Sequence, residues 1–303
     1  MLSVKNLSFA IDGKTILDDV SVDFAVGKIT AILGANGSGK TTAMEILCGL
    51  RLPTSGRAEF LGQPVVPGGA HRNWMGVQLQ VGGLPQRLRV REALKAAECL
   101  YRDAGDVDVI IDALGLRSRM SQMVDKLSGG WQRRLDIAIA CIGSPRLLVL
   151  DEPTSGLDPV ARTALWEFLR DRRSKGVAVL TSTHDLAEAE TYADHLLVLD
   201  EGRAILRGPV SEVLSAAGGD HRLRVLSGDP GCLSAIRAQG HTPLEAGSAI
   251  SVIGDSGGLT VLREKLERLR DAGEVKFSDV LLGSVRLEDV FAFAAAGRKK
   301  ETT

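Results

Sequence analysis

Gly34-Ala35-Asn36-Gly37-Ser38-Gly39-Lys40-Thr41 satisfies the G-x-x-x-x-G-K-[ST] pattern of a phosphate-binding loop. Glycines at this spacing let the backbone curl, so that successive N–H groups point inward at phosphate oxygens. Lys40 can reach the β- and γ-phosphates of a nucleotide as a point charge, and Thr41 can place its hydroxyl on Mg²⁺. Asn36, Ser38 and Thr42 belong to the same nucleotide-contacting run. A second cluster is Arg146-Leu147-Leu148-Val149-Leu150-Asp151-Glu152-Pro153, an apolar run ending in two carboxylates and a proline. Asp151 would face the Mg²⁺ shell, and Glu152 would be free to polarise an attacking water as general base.

The elements needed to hold these groups are written around them. Lys28-Ile29-Thr30-Ala31-Ile32-Leu33 reads as a buried strand before the loop, and Thr42-Ala43-Met44-Glu45-Ile46-Leu47 as the start of a helix after it. Strand, loop and helix therefore come in the order that turns the positive end of a helix dipole toward phosphate. Ligands of open α/β sheets collect at the carboxyl ends of strands, which is where Asp151 falls. A glycine-rich turn or a solvated acid pair is the ordinary reading of either cluster alone; together they favour nucleotide chemistry.

With those residues in place, the chain from about Leu2 to Pro209 resembles the nucleotide-binding subunit of ABC transporters. Gln80, in Met75-Gly76-Val77-Gln78-Leu79-Gln80, is similar to the family's Q-loop glutamine, a sensor of the γ-phosphate and Mg²⁺ linked to the membrane partner. Leu127-Ser128-Gly129-Gly130 matches the signature motif, Ser155-Gly156-Leu157-Asp158 the D-loop, and His184 the switch histidine after the apolar run Gly176–Thr183. The resemblance implies an α/β P-loop fold of the ABC ATPase type, with ATP and Mg²⁺ as ligands and a helical subdomain over about residues 85–130. Two departures stand out. Ile11 occupies the place of the aromatic that stacks on adenine, although a small shift offers Phe9 instead; without a ring, stacking of about 1–3 kcal/mol is lost and nucleotide selectivity becomes poor. Trp131 follows the Gly-Gly pair where many members carry glutamine.

Composition sets limits on partners. The chain has 303 residues, 44% of them hydrophobic, enough for one large α/β domain and a small one. No apolar run reaches the roughly 18 residues of a membrane span, so transport would need a separate permease. The N-terminus has no apolar signal region, which points to the cytoplasm, on the inner face of the membrane through that permease. The four cysteines lack C-x-x-C spacing, and a net charge of −1 gives no general attraction to nucleic acid. The basic run Arg87, Arg89 and Arg91 reads as a solvated face at the place where the family's membrane-contacting segment begins.

The expected organisation is an ATPase domain over residues 1–215 and a small α+β domain over 221–297, joined by Ala216-Ala217-Gly218-Gly219-Asp220. In the first, Leu196–Leu199 and Ala204–Arg207 flank a Glu201-Gly202 turn and predict a hairpin. In the second, strands are expected at 221–226, 249–253 and 275–277, and helices at 232–238 and 262–272. The closing Leu287-Glu288-Asp289-Val290-Phe291 is similar to the ends of ATPases that serve ABC-2 type exporters of drugs, antibiotics or lipids, and the segments around Gln80 and from Pro85 to Val90 look like the same branch. Arg298-Lys299-Lys300 reads as a frayed terminus.

The motif set implies a head-to-tail homodimer. Ser128, Gly129 and Gly130 of one chain would cap ATP·Mg²⁺ held by Gly34–Thr41 of the other, with Asp158 linking the two sites. Gln80, with Thr41 and Asp151, would attend the metal; Glu152, His184 and Lys40 would act on the γ-phosphate. An importer ATPase and a soluble ABC ATPase clamping ribosomes or DNA are the alternatives.

Overall fold

The computed structural model describes residues 1–79, 83–84, 86–101 and 104–293; Gln80, Pro85 and Arg298, Lys299 and Lys300 lie outside them. The chain divides into two units, Met1–Gly208 and Pro209–Thr303.

In the first unit, β1 (Leu2–Ile11) and β2 (Lys14–Phe24) form an antiparallel hairpin, and β3 (Ile29–Leu33) leads through the glycine loop into α1 (Lys40–Leu47). β4 (Ser55–Phe60) and β5 (Gln63–Pro64) complete an antiparallel sheet in the order β2-β1-β4-β5. After β6 (Met75–Gln78) come α2 (Val90–Glu98), α3 (Val107–Ala113) and α4 (Gly129–Ile142), with 3-10 turns at Leu116–Arg119 and Val124–Lys126. β7 (Leu147–Asp151), α5 (Pro159–Ser174), β8 (Ala178–Ser182), α6 (Leu186–Tyr192), β9 (His195–Asp200) and β10 (Arg203–Pro209) finish the unit. The second sheet has the order β10-β9-β3-β8-β7-β6 and is parallel at every pairing from β9 to β6. β9 and β10 are neighbours joined through Glu201 and Gly202, both at positive φ.

Parallel strands covered on both faces need apolar side chains at nearly every position. β3, β7 and β8 are accordingly buried throughout. Side chains of a strand alternate between faces, so Leu148 and Leu150 of β7 enter a core with Leu94, Ile110, Leu135 and Trp166 from the helices. Leu147 and Val149 enter the opposite core with Met44 and Ile46 of α1 and Leu2, Leu17 and Phe60 of the antiparallel sheet. Each such leucine contributes about 1.5–3 kcal/mol on burial. Trp131, on the first turn of α4, lies under two guanidinium groups, Arg119 at 5.0 Å and Arg134 at 4.4 Å from its ring centre.

The cysteines sit apart. Cys48, Cys141 and Cys232 are buried, and burial pushes the first two thiols up to about 12 and the third to about 11. Cys99 is exposed at the C-terminal cap of α2.

The second unit contains α7 (Val210–Ser215), β11 (His221–Leu226), α8 (Pro230–Ala238), β12 (Leu244–Ala246), β13 (Ala249–Gly254), α9 (Ser256–Asp271) and β14 (Asp279–Ser284). Its antiparallel sheet runs β12-β13-β11-β14, with Leu223, Val225 and Val252 packed against Ile236, Leu262 and Leu266 of the helices. The strand expected at 275–277 is absent; the partner of β11 is β14 instead. Asp229 explains the difference: its carboxylate accepts the Lys276 N–H and its own N–H donates to the Lys276 carbonyl, both at 2.9 Å. Those bonds occupy the groups a ladder would need, while Val275 is buried beside them. Residues 287–293 are helical.

Candidate functional site

Because β3, β7 and β8 are adjacent and parallel, their carboxyl ends bring the glycine loop, Asp151-Glu152 and Thr183-His184 to one edge of the sheet. Gly34 and Gly39 fix the loop there. A Cβ on Gly34 would fall 2.3 Å from the Leu199 carbonyl, and one on Gly39, the left-handed N-cap of α1, 2.8 Å from the Ile16 carbonyl. Neither approach admits a larger residue. Asn36 and Gly37 are exposed at the loop's tip, whereas Ser38 is buried with its hydroxyl unpartnered among the described residues. The first-turn N–H groups of α1, at Lys40, Thr41 and Thr42, have no acceptor within the helix. A free hydroxyl and free amides around one concavity suit phosphate oxygens.

Lys40 is buried, and its Nζ donates to the Gly34 and Ala35 carbonyls at 2.8 and 2.9 Å. Burial lowers its pKa, and the nearby charges of Glu152 and Asp151 oppose that shift. Thr41 Oγ1 donates to Asp151 Oδ2 at 3.1 Å. A hydroxyl and a carboxylate at this distance are hard oxygen donors, a set that fits Mg²⁺ completed by water and phosphate oxygens.

Asp151 is almost fully enclosed, and Ser182, its partner across the β7–β8 ladder, donates its hydroxyl to Asp151 Oδ1. The same Ser182 oxygen accepts the Glu152 N–H at 2.9 Å. Glu152 has φ of 47°, a left-handed conformation that costs a residue with a side chain about 1–2 kcal/mol. The turn ends β7 and sets Glu152 Oε1 3.5 Å from His184 Nδ1, with the carboxylate largely buried and the imidazole exposed. The carbonyl of Asp151 accepts from Gln78 Nε2 and from Arg133 Nη1 of α4, both at 3.3 Å.

Ser128 and Gly129 form a separate exposed patch at the start of α4, where Ser128 is the N-cap and makes no capping side-chain bond. Gly130 packs on the D-loop: a Cβ there would lie 3.2 Å from Leu157 and 3.4 Å from the Gly156 carbonyl. Asp158 caps α5 by accepting the Ala161 N–H at 2.9 Å, and its other oxygen lies 3.9 Å from Arg134 Nη2. Beside Gly129, a cavity of about 220 Å³ is lined in part by Gln86, Gln132, Arg133 and Asp136. Burial pushes the Asp136 carboxyl up to about 6 against the pull of Arg133.

At the hairpin tip, Ile11 is 48% exposed opposite Lys14, while Phe9 is half-buried with the Arg51 guanidinium 5.1 Å above its ring. Ile11, not Phe9, is therefore the free apolar surface on β1. The structure brings Lys40, Thr41, Asp151, Glu152 and His184 together at one edge and leaves Ser128, Gly129 and Asp158 facing outward. Gln80 lies outside the described residues. Ser182, Gln78, Arg133 and Arg134 were not expected, since only strand register and helix placement put them beside Asp151 and Asp158.

A family model described as "ABC transporter" matches residues 17–155. The Nod factor export ATP-binding protein I of Neorhizobium galegae is 37% identical over 230 residues, which are 74% of this chain and 66% of that protein, just under two thirds. Its namesake in Burkholderia orbicola (strain AU 1054) is 34% identical over 238 residues, 77% of this chain and 78% of that protein. Among solved structures, the ATP-binding subunit of an ABC transporter superposes with a TM-score of 0.67 at 29% identity, covering 71% of this chain and 92% of its own. A bacterial ABC transporter cassette solved as a dimer has the same fold, with a TM-score of 0.63 at 23% identity over 69% of this chain and 99% of its own.

Proposed function

The chain belongs to the ATP-binding, ATP-hydrolysing subunits of ABC transporters, and from that premise we propose that two copies close head to tail to drive export through a separate membrane permease. ATP lies with its phosphates on Gly34–Thr41 and its base against Ile11. Lys40 leaves the loop carbonyls for the β- and γ-phosphates, and the Ser38 hydroxyl gains a phosphate acceptor. Thr41 and Asp151 would hold Mg²⁺, which would supply positive charge to the phosphate oxygens. Glu152 takes a proton from water as the water oxygen attacks the γ-phosphorus, and the bond to the ADP oxygen breaks. His184 holds that water and the γ-phosphate in line with Glu152.

Ser128, Gly129 and Gly130 of the second copy cover the γ-phosphate from the side that one chain leaves open. The exposure of Ser128 and Gly129, and the dimeric state of a cassette of the same fold, support this arrangement. Asp158 connects the two sites, and Gln80 with the helical segment passes closure to the permease. Among the described residues no helix is long and apolar enough to cross a membrane. In this reading a separate permease holds the chain on the inner face of the membrane. Export is supported by the two relatives whose names specify it.

The observation that carries the reading is the adjacency of two pairs, Thr41–Asp151 at 3.1 Å and Glu152–His184 at 3.5 Å, at the end of a phosphate loop. Its test is twofold. E152Q is expected to elute as a dimer in ATP with little turnover, and the tagged full chain to bring a multi-span protein out of solubilised membranes. A variant that stays monomeric at saturating ATP, or recovery of ribosomes instead of a membrane protein, contradicts it.

A further inference from the structure

We infer that Glu188 is a positioning residue that locks the Glu152 turn and the His184 loop into one register. The inference rests on the roles just proposed for Glu152 and His184.

Glu188 occupies the third position of α6, where a glutamate ordinarily reaches back to the N-cap N–H as half of a capping box. Here that bond is made by another group: the Asp185 N–H donates to Thr183 Oγ1 at 3.0 Å. Glu188 turns inward instead and is 5% exposed. Burying a carboxylate is costly unless it is paired and hydrogen-bonded, and its partners come from three different segments. Thr154 Oγ1 donates to Oε2 at 2.8 Å, and Thr183 Oγ1 lies 3.5 Å from the same oxygen. Arg162 Nε of α5 lies 3.1 Å from Oε1, close enough for an ion pair though not aligned as a hydrogen bond, and Arg162 Nη1 reaches Asp185 Oδ2 at 3.5 Å.

Thr154 stands two residues after Glu152, and Thr183 immediately before His184. One carboxylate oxygen thus binds both flanks of the catalytic pair, and the other ties them to the helix that Asp158 caps. Glu188 braces the 3.5 Å separation of Glu152 and His184 from behind, beside the bond that Ser182 makes to the Glu152 N–H. Near-attack geometry tolerates little displacement, so loosening this brace lowers turnover and leaves the phosphate loop, and hence ATP affinity, alone.

The test uses the purified full chain and near-isosteric variants whose folding is verified by thermal melting. E188Q and T154V are expected to lower kcat by about tenfold or more with KM for ATP within about twofold, and T154S to restore kcat by returning the hydroxyl. Equal turnover by T154V and T154S, wild-type kcat in E188Q, or a rise in KM at unchanged kcat overturns the inference. E152Q and H184A, assayed beside them, separate the two claims. If both are inactive while E188Q and T154V are active, the brace alone fails; if both turn over normally, the roles of Glu152 and His184 fail.

Discussion

Ser182 and Glu152 are joined by a 2.9 Å hydrogen bond in which the serine oxygen accepts the glutamate's backbone N–H, while the serine proton goes to Asp151. One hydroxyl therefore holds both the Asp151 carboxylate and the backbone turn that carries Glu152. In S182A a buried Asp151 oxygen loses its donor, a penalty of about 1–3 kcal/mol. Residues that orient metal ligands cost roughly 10–100-fold in metal affinity or activity when removed. ATPase assays across a Mg²⁺ titration should show S182A needing more Mg²⁺ and turning over more slowly; an unchanged Mg²⁺ dependence contradicts the assignment.

Ser128 is exposed, and its side chain is not used to cap its own helix. S128R should accordingly leave binding of a fluorescent ATP analogue to the monomer within about twofold while abolishing ATP-dependent dimerisation and hydrolysis, since the arginine blocks the face that would meet the second copy's γ-phosphate. Weakened binding by the monomer, or normal turnover, counts against the head-to-tail arrangement.

Ile11 presents an aliphatic surface where a ring could stack on the base. I11Y should tighten ATP binding by roughly tenfold, the low end of a stacking contribution of about 1–3 kcal/mol. F9A, by contrast, should lower the melting temperature without a comparable change in affinity, because Phe9 packs against the core under Arg51. Loss of nucleotide in F9A with no gain in I11Y would reverse the two assignments.

Asp136 sets a pH dependence of stability. Its carboxyl is raised from 3.8 to about 6 by burial, so between those values the folded chain binds more protons than the unfolded one. Stability from this group therefore falls as pH rises through that window, and the full penalty stands above about 6. D136N should melt higher than wild type at about pH 7.5, by a modest margin because the group is partly solvated, and equally near pH 4. A difference independent of pH would remove Asp136 as its source.

Much of this architecture is legible in the chain because parallel strands buried on two faces must be apolar at consecutive positions, as Leu147–Leu150 and Ala178–Leu180 are. The glycine loop is legible for a related reason: its function demands residue types that few other structures demand. Ser182 is not, since nothing in Thr181-Ser182-Thr183 says which strand lies beside it; the β7–β8 register decides that. The φ of Glu152 is equally hidden, as no residue preference marks a glutamate for the left-handed region. Val275 and Phe277 mislead because apolar residues in a loop held by Asp229 look like a short strand. Glu188 misleads in the opposite way, matching a surface capping pattern while lying inside.

The distribution of sulfur has a practical consequence. Three of the four thiols are enclosed and held far from thiolate at neutral pH, whereas Cys99 stands in solvent at the end of α2. Thiolate fraction and access govern alkylation, so a maleimide fluorophore or spin label should attach at one known point on the helical segment of the native chain. Two such labels in a dimer would turn the opening and closing of the pair into a distance that can be followed in real time.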